Sequence, residues 1–243
     1  MPATQQIDSL TIVVPIFNEE PCLDHFKNEM DRFLTQAPVP TTVMFVNDGS
    51  TDDSQAMIQT ICAADDCYKF IALDKNTGLS TALKAGIDST ESALVGYIDA
   101  DVQTSPVDFL KFFEFFPQYD LVNGIRHQRN DSVVKKISSR VANTARRVMI
   151  DDGIEDTCCP LKVMKTDYAR SMPFFIGMHR FIPALVQLQG GSVKQVPVQH
   201  FPRYAGTAKY NLRNRLIGPF IDTLAFIWIK KRYIRYRISK KSL

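Results

Sequence analysis

The strongest constraint on this chain is a cadence. Over its first 125 residues, short β-branched runs alternate with segments whose apolar residues recur at helical spacing. Leu10 to Pro15, Thr42 to Val46, Lys69 to Leu73, Leu94 to Ile98 and Leu121 to Gly124 read as strands. Between them, Leu23, Phe26, Met30, Phe33 and Leu34 mark one helix. Asp52 to Asp65 reads as a second, with acids in its first turn, and Leu79, Leu83 and Ile87 mark a third. Ser105 before Pro106 predicts the start of a fourth. Strand and helix in alternation predict an α/β fold, a mostly parallel sheet with helices on both faces. In such sheets ligands bind beyond the carboxyl ends of the strands. The residues there are Asn18 and Glu19, Asn47 to Thr51, Asp74 to Gly78, and Asp99 to Gln103. Four polar strand ends on one edge predict a site.

The second half is less regular. Val134, Ile137, Val141 and Val148 predict one face of a long helix from near Ser132, with Arg140 off that face. Leu161 to Met164 and Val193 to Val198 read as strands, and Phe181 to Gln189 as a helix ended by Gly190 and Gly191. A length of 243 residues suits one large domain. The expected division is a single domain over 1–215, with halves 1–125 and 126–215, and a tail over 216–243.

A net charge of +3 argues against bulk nucleic-acid binding, but the charge is uneven. Lys230, Lys231, Arg232, Arg235, Arg237, Lys240 and Lys241 crowd the last residues and invite an anionic partner. Five cysteines without a C-x-x-C pair do not form a secreted disulfide framework, and the polar start is no signal peptide. A cytoplasmic location is expected. No run of about 20 apolar residues exists to span a bilayer. Leu212 to Ile229 reads instead as a helix with one apolar face of Leu216, Phe220, Leu224 and Ile227 or Trp228. With the basic residues behind it, that face predicts attachment to a membrane surface, directly or through a small membrane-protein subunit.

Two strand ends carry the chemistry. Asp99-Ala100-Asp101 directly follows an apolar strand, and Gln103 lies on the same turn. Paired carboxylates there suit Mg²⁺ or Mn²⁺, which keep water and substrate phosphate in their shells. Asn47-Asp48-Gly49-Ser50 follows another strand. It is read either as a plain strand-to-helix turn or as an Asp that accepts a hydrogen bond from a nucleobase.

Several motifs stand in a fixed order: Val14 to Glu19 (VPIFNE), Asn47 to Asp52 (NDGSTD), Asn76 to Ser80 (NTGLS) and Asp99 to Gln103 (DADVQ). Val122 to Arg126 (VNGIR) and His200 to Tyr210 (HFPRYAGTAKY) follow. This set resembles the inverting glycosyltransferases of the GT-A fold, in the dolichyl-phosphate mannosyltransferase and polyprenyl-phosphate glucosyltransferase branch. The resemblance covers about Leu10 to Arg215. It implies a nucleotide-sugar donor, UDP- or GDP-linked, bound by 1–125, and a polyprenyl phosphate acceptor bound by 126–215. Pro15, Phe17 and Glu19 would line the nucleoside pocket, and Asp48 would read the base. Asp99 would sit near the ribose, with Asp101 and Gln103 on the metal. Arg203 and Lys209 would close over the diphosphate. Arg126, Arg140 and Thr144 would hold the acceptor phosphate, and Asp156 would help position it. Arg140 and Thr144, four apart, share a face of the predicted helix. Phe17, Asn47, Thr77, Thr104-Ser105 and Ala208 depart from the family pattern, which bears on donor identity more than on reaction class.

The implied reaction is a single displacement with inversion at the anomeric carbon, with no strong general base because a phosphate monoester is already largely anionic. Two rivals remain at this level: transfer to a glycan hydroxyl on the same fold, and a non-catalytic nucleotide-sugar-binding subunit.

Overall fold

The computed structural model describes residues 7–126, 149–202, 204 and 212–234. Seven strands build one sheet: β1 (Leu10–Ile16), β2 (Thr41–Asn47), β3 (Tyr68–Ala72), β4 (Leu94–Tyr97), β5 (Leu121–Arg126), β6 (Lys162–Lys165) and β7 (Val193–Val198). Their order is β3-β2-β1-β4-β6-β5-β7. The β1–β2, β1–β4, β2–β3 and β5–β7 pairs are parallel, while β6 runs antiparallel to both β4 and β5. The sheet is thus mostly parallel with one reversed strand near its middle. That reversal sets Lys162 beside Tyr97 on one side and Asn123 on the other.

Each face of the sheet is covered. Helices α1 (Glu20–Leu34) and α2 (Ser54–Ala64) and a 3₁₀ helix (Pro106–Phe115) pack on one face. Helices α3 (Leu79–Asp88), α4 (Thr166–Ser171), α5 (Ile182–Leu188) and α6 (Leu212–Arg232) pack on the other. β1 explains why: Leu10, Ile12, Val14 and Ile16 point into the first core, and Val13 points into the second. A strand buried on both faces needs a continuous apolar run, which β1 has.

The segment after Ser105 is 3₁₀ rather than α-helical, and the Ser105 side chain makes no cap. Pro106, Phe109 and Phe112, all buried, recur every third residue, and a period of three matches 3₁₀ geometry. In α6 the outcome differs from a single apolar face. Phe226 is 1% exposed and stacks on Phe181 with centroids 5.2 Å apart, while Phe220, Leu224 and Trp228 face outward. Arg180 donates to Asp222 at 2.8 Å and fixes the helix's rotation. The helix predicted near Ser132, with Arg140 and Thr144, lies outside the described residues, as do Arg203 and Lys209. Among the described residues no helix is long and apolar enough to cross a membrane.

Candidate active site

The polar strand ends do meet on one edge of the sheet. After β1, Asn18 has a positive φ of 52°. Its amide donates to Ser50 Oγ at 3.0 Å, and its Oδ1 accepts from the Thr51 amide at 2.7 Å. The amide of Glu19 donates to Ser54 Oγ at 3.0 Å. These bonds stitch the β1 end to the β2 end across more than 30 residues of sequence. Pro15 lies within β1 opposite Val46, and Phe17 follows it, both half-buried beside this seam.

Asp48 is 3% exposed and its carboxylate is saturated. Oδ1 accepts from the Thr77 amide at 2.7 Å and the Thr77 hydroxyl at 3.0 Å. Oδ2 accepts from the Gly78 amide at 2.7 Å and Asn76 Nδ2 at 3.0 Å. An ionised carboxylate offers about four acceptor sites, so the loop before α3 takes them all. Gly49, at φ 68°, lets that loop close: a Cβ there would meet the Asn76 nitrogen at 2.5 Å. Asp48 therefore holds the 76–78 loop and the amino end of α3 in place. Any contact it makes with a base must share an oxygen already in use.

The carboxylate pair lies at the end of β4. Tyr97 Oη donates to Asp99 at 2.6 Å, and Asp101 is 7% exposed. Burial, then repulsion from Asp101, pushes the Asp99 carboxyl up to about 6. Arg126 and Lys162 lie close enough to oppose that rise. Val102 follows at φ 56°, a left-handed conformation that costs a β-branched residue energy. The turn is held by the Gln103 amide on Asp101 at 3.2 Å. The Gln103 carbonyl accepts from the Phe201 amide at 2.9 Å and His200 Nδ1 at 3.0 Å. Asp108 accepts the Gln199 amide at 2.6 Å and completes the tie. The 199–202 strap is thereby drawn toward the carboxylate turn, bringing the segment before Arg203 to the same edge.

On the other side stand β5 and β6. Arg126 grips Asp156 with two parallel bonds, Nε at 2.8 Å and Nη2 at 2.9 Å. Both side chains are nearly buried, at 13% and 12% exposure. Burial alone would raise the Asp156 carboxyl, but the Arg126 hydrogen bonds hold it below the usual carboxylate range. The two residues assigned separately to the acceptor thus form one unit, with Asp156 orienting the guanidinium. The asparagine of β5, Asn123, donates to the Asp156 carbonyl at 3.0 Å and anchors that loop.

Three residues were given no role by the sequence reading. Lys162 is 1% exposed and donates to the Cys159 carbonyl, and burial lowers its ammonium. A lysine inside the apolar run Leu161 to Met164 was the available signal. Ser80, on the first turn of α3, accepts the Gly177 amide at 3.1 Å and lies 2.9 Å from His179 Nδ1. Ser80 Oγ thus bridges the Gly177 amide and the His179 ring. Burial, then Arg180 and Lys162, push His179 down to about 3, so the ring is neutral. Nothing in the spacing of His179 marks it.

This chain resembles known proteins along most of its length. It is 30% identical over 222 residues to undecaprenyl-phosphate 4-deoxy-4-formamido-L-arabinose transferase of Erwinia tasmaniensis, covering 90% of this chain and 68% of that protein. It is 27% identical over 234 residues to dodecaprenyl-phosphate galacturonate synthase of Rhizobium johnstonii, covering 94% and 68%. The chain spans about two-thirds of the length of the curated relatives it matches. Among solved structures, glucosyl-3-phosphoglycerate synthase from Mycobacterium tuberculosis, in complex with Mn²⁺ and UDP-glucose, superposes with a TM-score of 0.68. Identity is 17%, with 90% of this chain and 79% of that one covered. That likeness establishes the fold as GT-A. The model of the family described as glycosyl transferase family 2 matches residues 11–172, well over half of the sequence, and the chain belongs to that family.

Proposed function

We propose that this protein transfers a sugar from a UDP- or GDP-linked donor to a polyprenyl phosphate, with inversion at the anomeric carbon. One observation carries the reading: at a single sheet edge, the Asp99/Asp101 pair lies within electrostatic reach of the Arg126–Asp156 pair and Lys162. Carboxylates beside arginine and lysine suit two phosphate groups, one bridged to the carboxylates and one held by the guanidinium. The relatives with polyprenyl-phosphate names support that acceptor.

The carboxylates fit Mg²⁺ or Mn²⁺. Asp99 is raised by burial and then by repulsion from Asp101, and a divalent cation relieves that repulsion. Gln103 offers a neutral oxygen on the same turn. When bound, the cation supplies Lewis-acid stabilisation of the leaving diphosphate. The solved neighbour crystallised with Mn²⁺ supports this use. The chain's own residues do the rest. The seam between Asn18, Ser50 and Thr51 shapes the nucleoside end, with Pro15, Phe17 and Glu19 along it. Asp48 fixes the 76–78 loop against which the donor lies. Arg126, oriented by Asp156, draws the acceptor phosphate into line, and Arg140 and Thr144 extend that grip. Arg203 and Lys209 close over the donor diphosphate. The phosphate oxygen attacks as an anion, so no side chain removes a proton from it.

The acceptor is a membrane lipid and the donor is soluble, so we place the enzyme peripherally at the cytoplasmic face. All five cysteines are free thiols, in keeping with a reducing compartment. The test is transfer of radiolabel from UDP- and GDP-sugars to a short-chain polyprenyl phosphate, with Mg²⁺ or Mn²⁺ and with a chelator. Label in a lipid-linked sugar phosphate, lost on chelation, is the expected result. Label only in a glycan hydroxyl product overturns the acceptor assignment.

A further inference from the structure

Helix α6 carries two apolar stripes on opposite sides. Thr223 and Phe226 are buried against the second core, with Ile229 and Tyr233 packed beside them. Phe220, Leu224 and Trp228, four residues apart, and Ile221 beside them face away at 56%, 46%, 62% and 57% exposure. An apolar side chain left this open on a helix that is otherwise anchored has no role in the core. The loop before the Gly177 turn adds Ile176, 83% exposed. It abuts the same helix, because a side chain at Gly177 would collide with the Asp222 carboxylate. Ile176 thus adds an exposed apolar side chain beside the Asp222 side of the helix.

We infer that this surface is the docking face for an anionic lipid bilayer, seating α6 in the headgroup layer beside the active-site cleft. This rests on the reading of a membrane-held acceptor. Charge favours lipid over a second copy of the chain. Lys231 and Arg232 are exposed at the end of the stripe, and the Arg232 guanidinium lies 5.4 Å from the Trp228 ring centroid. Arg235, Arg237, Lys240 and Lys241 follow in the sequence. Two copies joined through this face would bring like charges together, whereas anionic headgroups neutralise them. A tryptophan beside basic side chains suits the boundary between acyl chains and headgroups. The helix is tied back to the start of α3, next to the 76–78 loop. Arg180 holds Asp222 of α6, and its neighbour His179 holds Ser80 at the start of α3.

The experiment is flotation of the purified full chain with phosphatidylcholine vesicles, with and without about 30% phosphatidylglycerol. Wild type binds the anionic vesicles and releases with salt. Leu224→Glu/Trp228→Glu and Lys231→Glu/Arg232→Glu each weaken binding by more than about tenfold. Both variants keep the wild-type melting midpoint and wild-type turnover of a short-chain, detergent-dispersed polyprenyl phosphate, but lose turnover of vesicle-embedded acceptor. The proposal is overturned if wild type ignores anionic vesicles, or if the variants float like wild type. A dimer in analytical ultracentrifugation that Leu224→Glu/Trp228→Glu dissociates also overturns it, assigning the face to a second copy. If vesicles bind while the dispersed acceptor is not turned over, the acceptor assignment falls and the docking face stands.

Discussion

The two rims of the cleft are built from different bonds. On the β1–β2 side, neutral or singly charged groups are tied to backbone amides: Asn18 to Ser50 and Thr51, and Asp48 to Thr77 and Gly78. On the β5–β6 side, charged groups face each other in near burial: Arg126 with Asp156, and buried Lys162 within electrostatic reach of Asp156. The first rim gains rigidity from many short-range bonds whose loss is graded. The second depends on a few ionic contacts, each costly to break because its partner stays buried. The first suits a nucleotide whose shape is constant. The second suits an anionic group that arrives and leaves.

The largest effect is expected where the rims meet. Asp101→Asn should lower turnover by more than about 100-fold while leaving the melting curve unchanged, since one lost carboxylate weakens stabilisation of the leaving group. Turnover that neither this variant nor chelation affects would break the metal assignment. Next comes the ionic rim. Arg126→Met should cost about 3–5 kcal/mol of stability by stranding Asp156. Asp156→Asn should cost less and raise the apparent KM for lipid phosphate more than for nucleotide sugar. A double-mutant cycle with no coupling between the two would mean the pair is not a unit in solution. The linkage has a clear sign. Asp156 is held below its unfolded value, so the pair stabilises the protein above the ordinary carboxylate range. That contribution is lost as pH falls through the depressed value, and urea melts in acid should show it.

Asp48→Ala should cost about 3 kcal/mol, because it leaves two loop amides without their acceptor. It should weaken UDP or GDP binding through loop disorder. Asp48→Asn should recover part of the stability, since an amide oxygen still accepts. If Asp48→Ala abolishes nucleotide binding and leaves the melting midpoint unchanged, the residue reads the base instead of holding the loop.

The smallest effect concerns His179, which is pushed down to about 3. The unfolded ring takes up a proton near 6.5 and the folded ring does not, so stability falls as pH drops from about 6.5 toward 3. The residue as a whole is only half-buried, so a loss of about 1–2 kcal/mol is expected. His179→Gln should flatten stability over that range. A slope equal to wild type would remove the histidine from the account.

The amino half was legible because its signals are local. Strand runs, helix stripes and turn residues each span a few positions, and four polar strand ends must converge once the strands are parallel. The carboxylate turn after β4 and the Asp48 turn after β2 followed from that alone. Two limits appear even there. The period-three stripe of Pro106, Phe109 and Phe112 gave a 3₁₀ helix where a cap motif suggested an α-helix. Asp48 was read either as part of a plain turn or as a base contact, and nothing in that reading showed that four groups on Asn76, Thr77 and Gly78 take its oxygens.

The sequence by itself determined the layered sheet, the order of motifs and the edge on which they gather. Hydrophobic period and turn chemistry act over neighbouring residues, and they leave little choice. Only the tertiary structure decided the direction of β6, because an apolar run of Leu161 to Met164 fits either direction. With that reversal came the burial of Lys162 between Tyr97 and Asn123, and the partnership of Arg126 with Asp156. Only the tertiary structure decided which stripe of α6 faces the core. The sequence offered two apolar stripes on one helix, and the Phe181–Phe226 stack with the Arg180–Asp222 pair chose between them. Contacts across tens of residues depend on which surfaces meet, and no local period encodes that.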